Sequence, residues 1–268
     1  MRIGNHHMAR MYLLTIALLV VLAVVGAYQA GKFPLALICA VVSCVLIEFV
    51  VVKATKKTFR VPLVAIITGL IIGSVAPITA SILLVVLACF IAEATKFFLK
   101  AKSRNIFNPA ALGLLIALLI FGVGDEWWAT PTIHAFGFMI PIAAILIISA
   151  YEVKRLPLAL VATVSTAIGV VITSGFGLSA GSLLTAFLTI NYYFIFLMVV
   201  DPKTSPTKVS GQVIYGIGIA LIALLLILVR IPYPLLLTLV VANAFYAIFR
   251  VFYKVKSVTK ANTTMATS

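Results

Sequence analysis

Ten apolar runs occupy almost the whole chain: about 11–29, 34–52, 61–76, 79–97, 108–122, 134–150, 157–174, 182–200, 210–229 and 233–252. A bilayer-spanning helix needs about 20 mostly apolar residues. The third, fifth and sixth runs are short, which suits tilted, broken or incompletely spanning helices. Runs such as "ALIALLLILV" do not alternate as the strands of a membrane barrel must. With 64% hydrophobic and 10% charged residues, the composition lies far from that of a soluble globular domain. The expected fold class is an all-α polytopic membrane protein: one transmembrane domain over 11–252, a cytoplasmic segment at 1–10 and a cytoplasmic tail at 253–268, whose final "ANTTMATS" reads as disordered. No cleavage site follows the first run, so it is read as a retained helix in the cell (inner) membrane.

The charges fix an orientation. The 20 Lys and Arg outnumber the 6 Asp and Glu, giving a net charge of +14. The basic clusters are Arg2/Arg10, Lys53/Lys56/Lys57/Arg60, Lys96/Lys100/Lys102/Arg104, Lys154/Arg155, Lys203/Lys208 and Arg250/Lys254/Lys256/Lys260. Ten crossings put all of them on one side, and leave Lys32, Arg230 and the acidic Asp125/Glu126 on the other. The positive-inside rule then makes both termini cytoplasmic. The same rule explains the basic charge without nucleic acid. Ten crossings also admit a five-plus-five inverted repeat, although no internal sequence similarity decides it.

Against this background the polar residues stand out. "NIFNPAALG" (105–113) places two carboxamides at the foot of an apolar run. Asn108-Pro109 reads as a helix start, with Asn as cap and Pro at the first position. Asn105 is not needed for that. If the segment is helical, one turn brings both amides to one side, where they can hold a planar polar heterocycle or an anion. Asp201 ends an apolar run just before Pro202 and meets the unfavourable end of the helix dipole. It is therefore expected to have a cation nearby, from Lys203, Lys208 or Arg104.

Glu48 lies within an apolar run, about one turn from Lys53, and is read either as a cation-handling group or as a paired one. Glu93 precedes Lys96 by three residues, which favours pairing. Asn191 falls near the middle of its expected helix and Asn243 in another; each is a candidate for an interhelical hydrogen bond. Trp127 and Trp128 fit an interfacial aromatic belt. Cys39, Cys44 and Cys89 have no metal-ligand spacing and fill core positions. His134 stands alone, and no motif supports hydrolytic chemistry.

The stretch "SRNIFNPAALGLL" and the later "MVVDPKTSPT…GQVIYG" resemble the NqrB/RnfD family, the membrane subunits of Na⁺-translocating NADH:quinone reductase and of the Rnf electron transport complex. The order of parts is also similar, with "IITGL" in the third run followed by a proline break. The resemblance implies a ten-helix fold with a non-covalent flavin, riboflavin or FMN, near Asn105 and Asn108, flanked by Arg104, Pro109 and Asp201. It also implies partner subunits of a redox complex within the lipid bilayer. Electron passage would be linked to Na⁺ or H⁺ movement, with Glu48 and Asp201 as ion-pathway carboxylates. One departure stands out. Where the family carries Ser-Gly-Ala-Thr, with covalent FMN on the threonine, this chain reads "DEWWATPT", so Thr130 keeps its place while two tryptophans replace Ser-Gly. The alternative reading is a small-solute or flavin transporter or channel without redox activity; a third is a scaffold in a larger complex.

Overall fold

The structure, a computed structural model, describes residues 3–56, 61–101, 104–130, 136–173 and 179–266. Lys57, Arg60, Lys102, Pro131 and His134 lie outside the described residues. The helices are α1 (Ile3–Ala30), α2 (Leu35–Ala54), α3 (Leu63–Val75), α4 (Ile82–Phe98), α5 (Pro109–Phe121), α6 (Phe136–Glu152), α7 (Leu156–Thr173), α8 (Ala180–Thr189), α9 (Val209–Leu228) and α10 (Pro234–Ala266). Each answers to one of the apolar runs. At the last, the helix continues through Ala266, where the sequence suggested a disordered tail.

Among the described residues five helices are long and apolar enough to cross a bilayer: Arg10–Ala30, α2, α7, α9 and Pro234–Val251. Shorter apolar helices, α3, α5 and α8 among them, accompany these. Large apolar side chains such as Val24, Leu83, Ile172 and Ile214 face outward and are well exposed. A continuous apolar exterior of this kind is stable only with lipid as the solvent. The chain is a multi-pass membrane protein.

Close packing depends on small residues. A Cβ on Gly73 would sit 2.3 Å from Leu37 Cα, and one on Gly69 would sit 2.6 Å from Val41 Cα, so α3 lies directly on the α2 backbone. A Cβ on Gly113 would meet the Ala88 carbonyl oxygen at 2.3 Å, which brings α5 equally close to α4. Such contacts hold membrane helices together by packing, since apolar burial gives little drive in lipid. In the first half α2 packs on α3 and α4, α4 on α5, and α3 on α1 and α5. In the second half α7 packs on α8 and α9, and α9 on α10. The halves meet through α1 with α6 and α5 with α10.

The eighth run is not one helix. It breaks after α8 and resumes as a π-helical stretch, Phe194–Val199. Asn191, expected near mid-helix, stands in the break. Its Oδ1 accepts from the Phe194 N–H at 2.9 Å, and the Thr130 hydroxyl donates to the same oxygen at 3.4 Å. The Tyr192 hydroxyl donates to the Phe187 carbonyl at 2.7 Å. Side chains thus supply partners that a broken helix would otherwise leave wanting at membrane depth. Asn191→Leu removes the cap, which costs about 1 kcal/mol. The expected result in detergent is a melting temperature lower by about 2–4 °C; an unchanged value would contradict this role.

Candidate functional site

Asn108 is the N-cap of α5. Its backbone is extended, its Oδ1 accepts from the Ala111 N–H at 3.1 Å, and Pro109 opens the helix. The Asn108 amide N–H₂ donates, at 3.5 Å, to the Met198 carbonyl in the π-helical stretch. Asn105 is placed differently from the expected helical turn. It ends a small antiparallel hairpin of β1 (Lys100–Ala101) and β2 (Arg104–Asn105), with Lys100 opposite Asn105. The hairpin carries Asn105 inward until its side chain is 7% exposed. Among the described residues its carboxamide has no hydrogen-bond partner.

Both asparagines line one cavity of about 100 Å³, together with Pro109 and Asp201. A single water needs roughly 10–15 Å³ and a benzene-binding cavity is about 150 Å³, so this space admits the edge of a ring system and not a whole flavin. The walls come from the starts of α1 (Tyr12, Thr15) and α3 (Val64, Thr68), the end of α6 (Ser149), and Phe196. This donor set suits a planar heterocycle. A buried carboxamide offers a donor and an acceptor edge-on, and Phe196 adds an aromatic wall. In donor chemistry, though not in volume, these residues match the polar edge of the non-covalent flavin expected from the sequence.

Asp201 lies at the cavity edge, but no cation pairs with it among the described residues. Its two oxygens instead accept from the Lys203 N–H at 3.0 Å and the Thr204 hydroxyl at 3.2 Å. The turn satisfies its own carboxylate, so the expected lysine or arginine is not required. The Ser205 hydroxyl donates to the Asp201 carbonyl at 2.7 Å. Arg155 then pins this loop to the end of α6, donating to Ser205 Oγ at 2.9 Å and to the Lys154 carbonyl at 3.1 Å. Burial, together with Arg104 nearby, pushes the Arg155 guanidinium below its ordinary value. Arg104 itself is half-buried on the hairpin and is not part of the cavity wall.

Lys96 was read from the sequence only as topology charge and as the partner of Glu93. It also lines the cavity. Its ammonium lies 2.6 Å from Glu93 Oε1, in a pair that is nearly inaccessible to solvent. Only the packing of α3 against α4 puts Lys96 there, which the local sequence does not reveal. Glu48 forms no ion pair with Lys53 among the described residues, and its Oε2 is buried without a partner. It does not reach the cavity wall.

The "DEWWAT" loop is tucked into the opposite end of the bundle. The Glu126 N–H donates to the Val75 carbonyl at 3.0 Å, Glu126 Oε2 accepts from the Ile78 N–H at 2.6 Å, and Trp128 Nε1–H donates to the Gly73 carbonyl at 3.0 Å. These bonds satisfy the end of α3. Trp127 packs edge-on against Tyr193 and Phe194. The tryptophans thus plug the bundle rather than only girdle it. Ala129 is buried, and a Cβ on Gly26 would lie 2.5 Å from the Trp128 carbonyl. Thr130 is held to Asn191 and lines none of the main cavities. Among the described residues, this engagement of its hydroxyl argues against covalent FMN on Thr130. Acid-precipitated protein is accordingly expected to give a pellet free of flavin fluorescence; a fluorescent pellet that Thr130→Ala abolishes would contradict this.

A second cavity, of about 290 Å³, lies beside Trp127, Asn191 and Phe194. Elsewhere the Tyr215 hydroxyl donates to Asn243 Oδ1 at 2.6 Å, the interhelical bond expected of Asn243. Cys39, Cys44 and Cys89 are free thiols, the last two fully buried, and Cys89 donates to the Ala40 carbonyl at 3.3 Å.

A comparison of the chain with curated proteins finds no match. The NQR2, RnfD, RnfE family matches residues 2–137, which span α1 to α5, the hairpin with Asn105, the Asn108 cap and the "DEWWAT" loop. The Asp-Pro segment lies beyond the matched residues. On that match the chain belongs to the NQR2, RnfD, RnfE family.

Proposed function

We infer that this chain is a flavin-holding electron-transfer subunit of a membrane redox complex. The observation that carries this reading is the carboxamide of Asn105, which is buried at the cavity wall and has no hydrogen-bond partner among the described residues. Asn105 would bind the polar edge of a non-covalent riboflavin or FMN. Phe196 would cover a ring face, and Asn108 would hold the α5 start in register beside it. The flavin, when bound, supplies one- and two-electron redox chemistry. The protein sets its position and surroundings. Titrating the purified protein with riboflavin and with FMN, followed by flavin fluorescence, tests the reading. Saturable quenching that Asn105→Ala weakens is the expected result; no quenching by either ligand would remove it.

The same reading includes ten crossings in the cell (inner) membrane with both termini cytoplasmic. Two observations support it. The cavity draws on the beginnings of α1, α3 and α5 and the ends of α4 and α6, as alternating crossings require. Most neighbours within α1–α5 recur within α6–α10 when the π-helical stretch is taken with α8, and the halves meet through α1 with α6 and α5 with α10, pairs that a two-fold exchange maps onto themselves. This favours a five-plus-five inverted repeat. Coupled Na⁺ or H⁺ movement would fall to Glu48, since among the described residues its buried oxygen lacks a hydrogen-bond partner while both oxygens of Asp201 are engaged.

The interrupted eighth crossing favours a second reading, a small-solute or flavin transporter. Broken helices beside cavities at opposite ends of a bundle are a transporter feature. Uptake of labelled riboflavin into proteoliposomes without any electron donor would support it; uptake no greater than in protein-free vesicles would exclude it.

A further inference from the structure

The cavity wall contains a cation that the flavin reading does not yet use. An ammonium has three N–H donors. In Lys96 one is spent on Glu93 at 2.6 Å and a second reaches, at 3.5 Å, toward the Val64 carbonyl. Among the described residues the third has no protein acceptor, although the residue lines the cavity. Glu93 is fully buried; among the described residues its Oε2 accepts no well-formed hydrogen bond, with the Cys44 thiol nearby. Glu48 lies close enough to Glu93 to interact electrostatically. A buried pair built only for stability would be expected to satisfy its donors and acceptors, since apolar residues of the same volume often serve as well. This pair instead leaves a donor unused beside the cavity.

We propose that Lys96 is a ligand-binding residue, with Glu93 as its positioning residue, and that together they make the cavity prefer a ring carrying negative charge. The inference rests on the flavin reading. Two electrons and one proton convert the neutral oxidised isoalloxazine into a monoanion, with the added charge on its pyrimidine side. The free N–H of Lys96 donates to that side. Glu93 holds the ammonium at the wall. The reduced ring is therefore bound more tightly than the oxidised one.

The test is a redox titration of the flavin-loaded protein in nanodiscs, with dithionite as reductant, alongside equilibrium binding of the oxidised flavin. Lys96→Gln alone strands the Glu93 carboxylate and can fail to fold. Lys96→Gln with Glu93→Gln removes both charges together and keeps the comparison sound. The double variant is expected to lose affinity for the reduced ring at least tenfold more than for the oxidised ring. For a two-electron couple that lowers the midpoint potential by about 30 mV per tenfold. Lys96→Arg should retain most of the preference. An unchanged midpoint potential in the flavin-loaded double variant would overturn the assignment. A wild-type protein that binds no flavin would be a different failure, removing the flavin reading and this inference with it.

Discussion

Asn105→Leu is expected to lower flavin affinity about thirtyfold or more while leaving the protein folded. The carboxamide makes no hydrogen bond within the described protein, so its removal breaks nothing internal. Leucine instead leaves two polar ring atoms without partners, each worth about 1–3 kcal/mol when buried, and every 1.4 kcal/mol is about tenfold in Kd. Asn108→Ala should behave otherwise. It removes the cap on the Ala111 N–H, at about 1 kcal/mol of helix stability, and should lower the melting temperature as well as the affinity. Binding and melting measured on both variants separate the two roles. Equal loss of stability in both would show that Asn105 is only structural.

Gly113→Val is expected to prevent assembly altogether. A Cβ there would overlap the Ala88 carbonyl at 2.3 Å and reach 3.0 Å from Ala92 N, so the backbone of α4 itself is in the way. Two packed membrane helices cannot separate locally to admit a branched side chain without losing the small-residue contact along their length. The same interface fixes Lys96 on α4 against the α5 start, so the cavity would be lost with it. Overpacking in a well-filled core costs about 1–3 kcal/mol, and a backbone obstruction puts this case beyond that range. Gel filtration of the detergent-solubilised variant should show aggregate in place of a single peak. A monodisperse, flavin-binding variant would contradict the packing described here.

The helices were legible because each apolar run has a polar or proline boundary. Asn108-Pro109 marked the start of α5 to the residue. Of the residues that the resemblance groups together, Asn105, Asn108, Pro109 and Asp201 line one cavity, whereas Arg104 and Thr130 do not. What the sequence hid depends on tertiary contact. "TINYYF" contains neither Gly nor Pro, so nothing local marks the break at Asn191; Thr130 and Tyr192 supply partners there. The hairpin that turns Asn105 inward is too short to leave a strand pattern. Asp201 seemed to need a cation because the turn that satisfies it, through Lys203 N–H and Thr204, has no fixed sequence signature. Lys96 looked like topology charge because its burial is decided by α3.

The most direct measurement is an absorbance spectrum of gently solubilised wild-type protein, taken after incubation with riboflavin or FMN and removal of the free ligand. The account predicts a flavin band at close to one equivalent per chain, released wholly into the supernatant on acid precipitation. A protein that stays colourless with either flavin would contradict it.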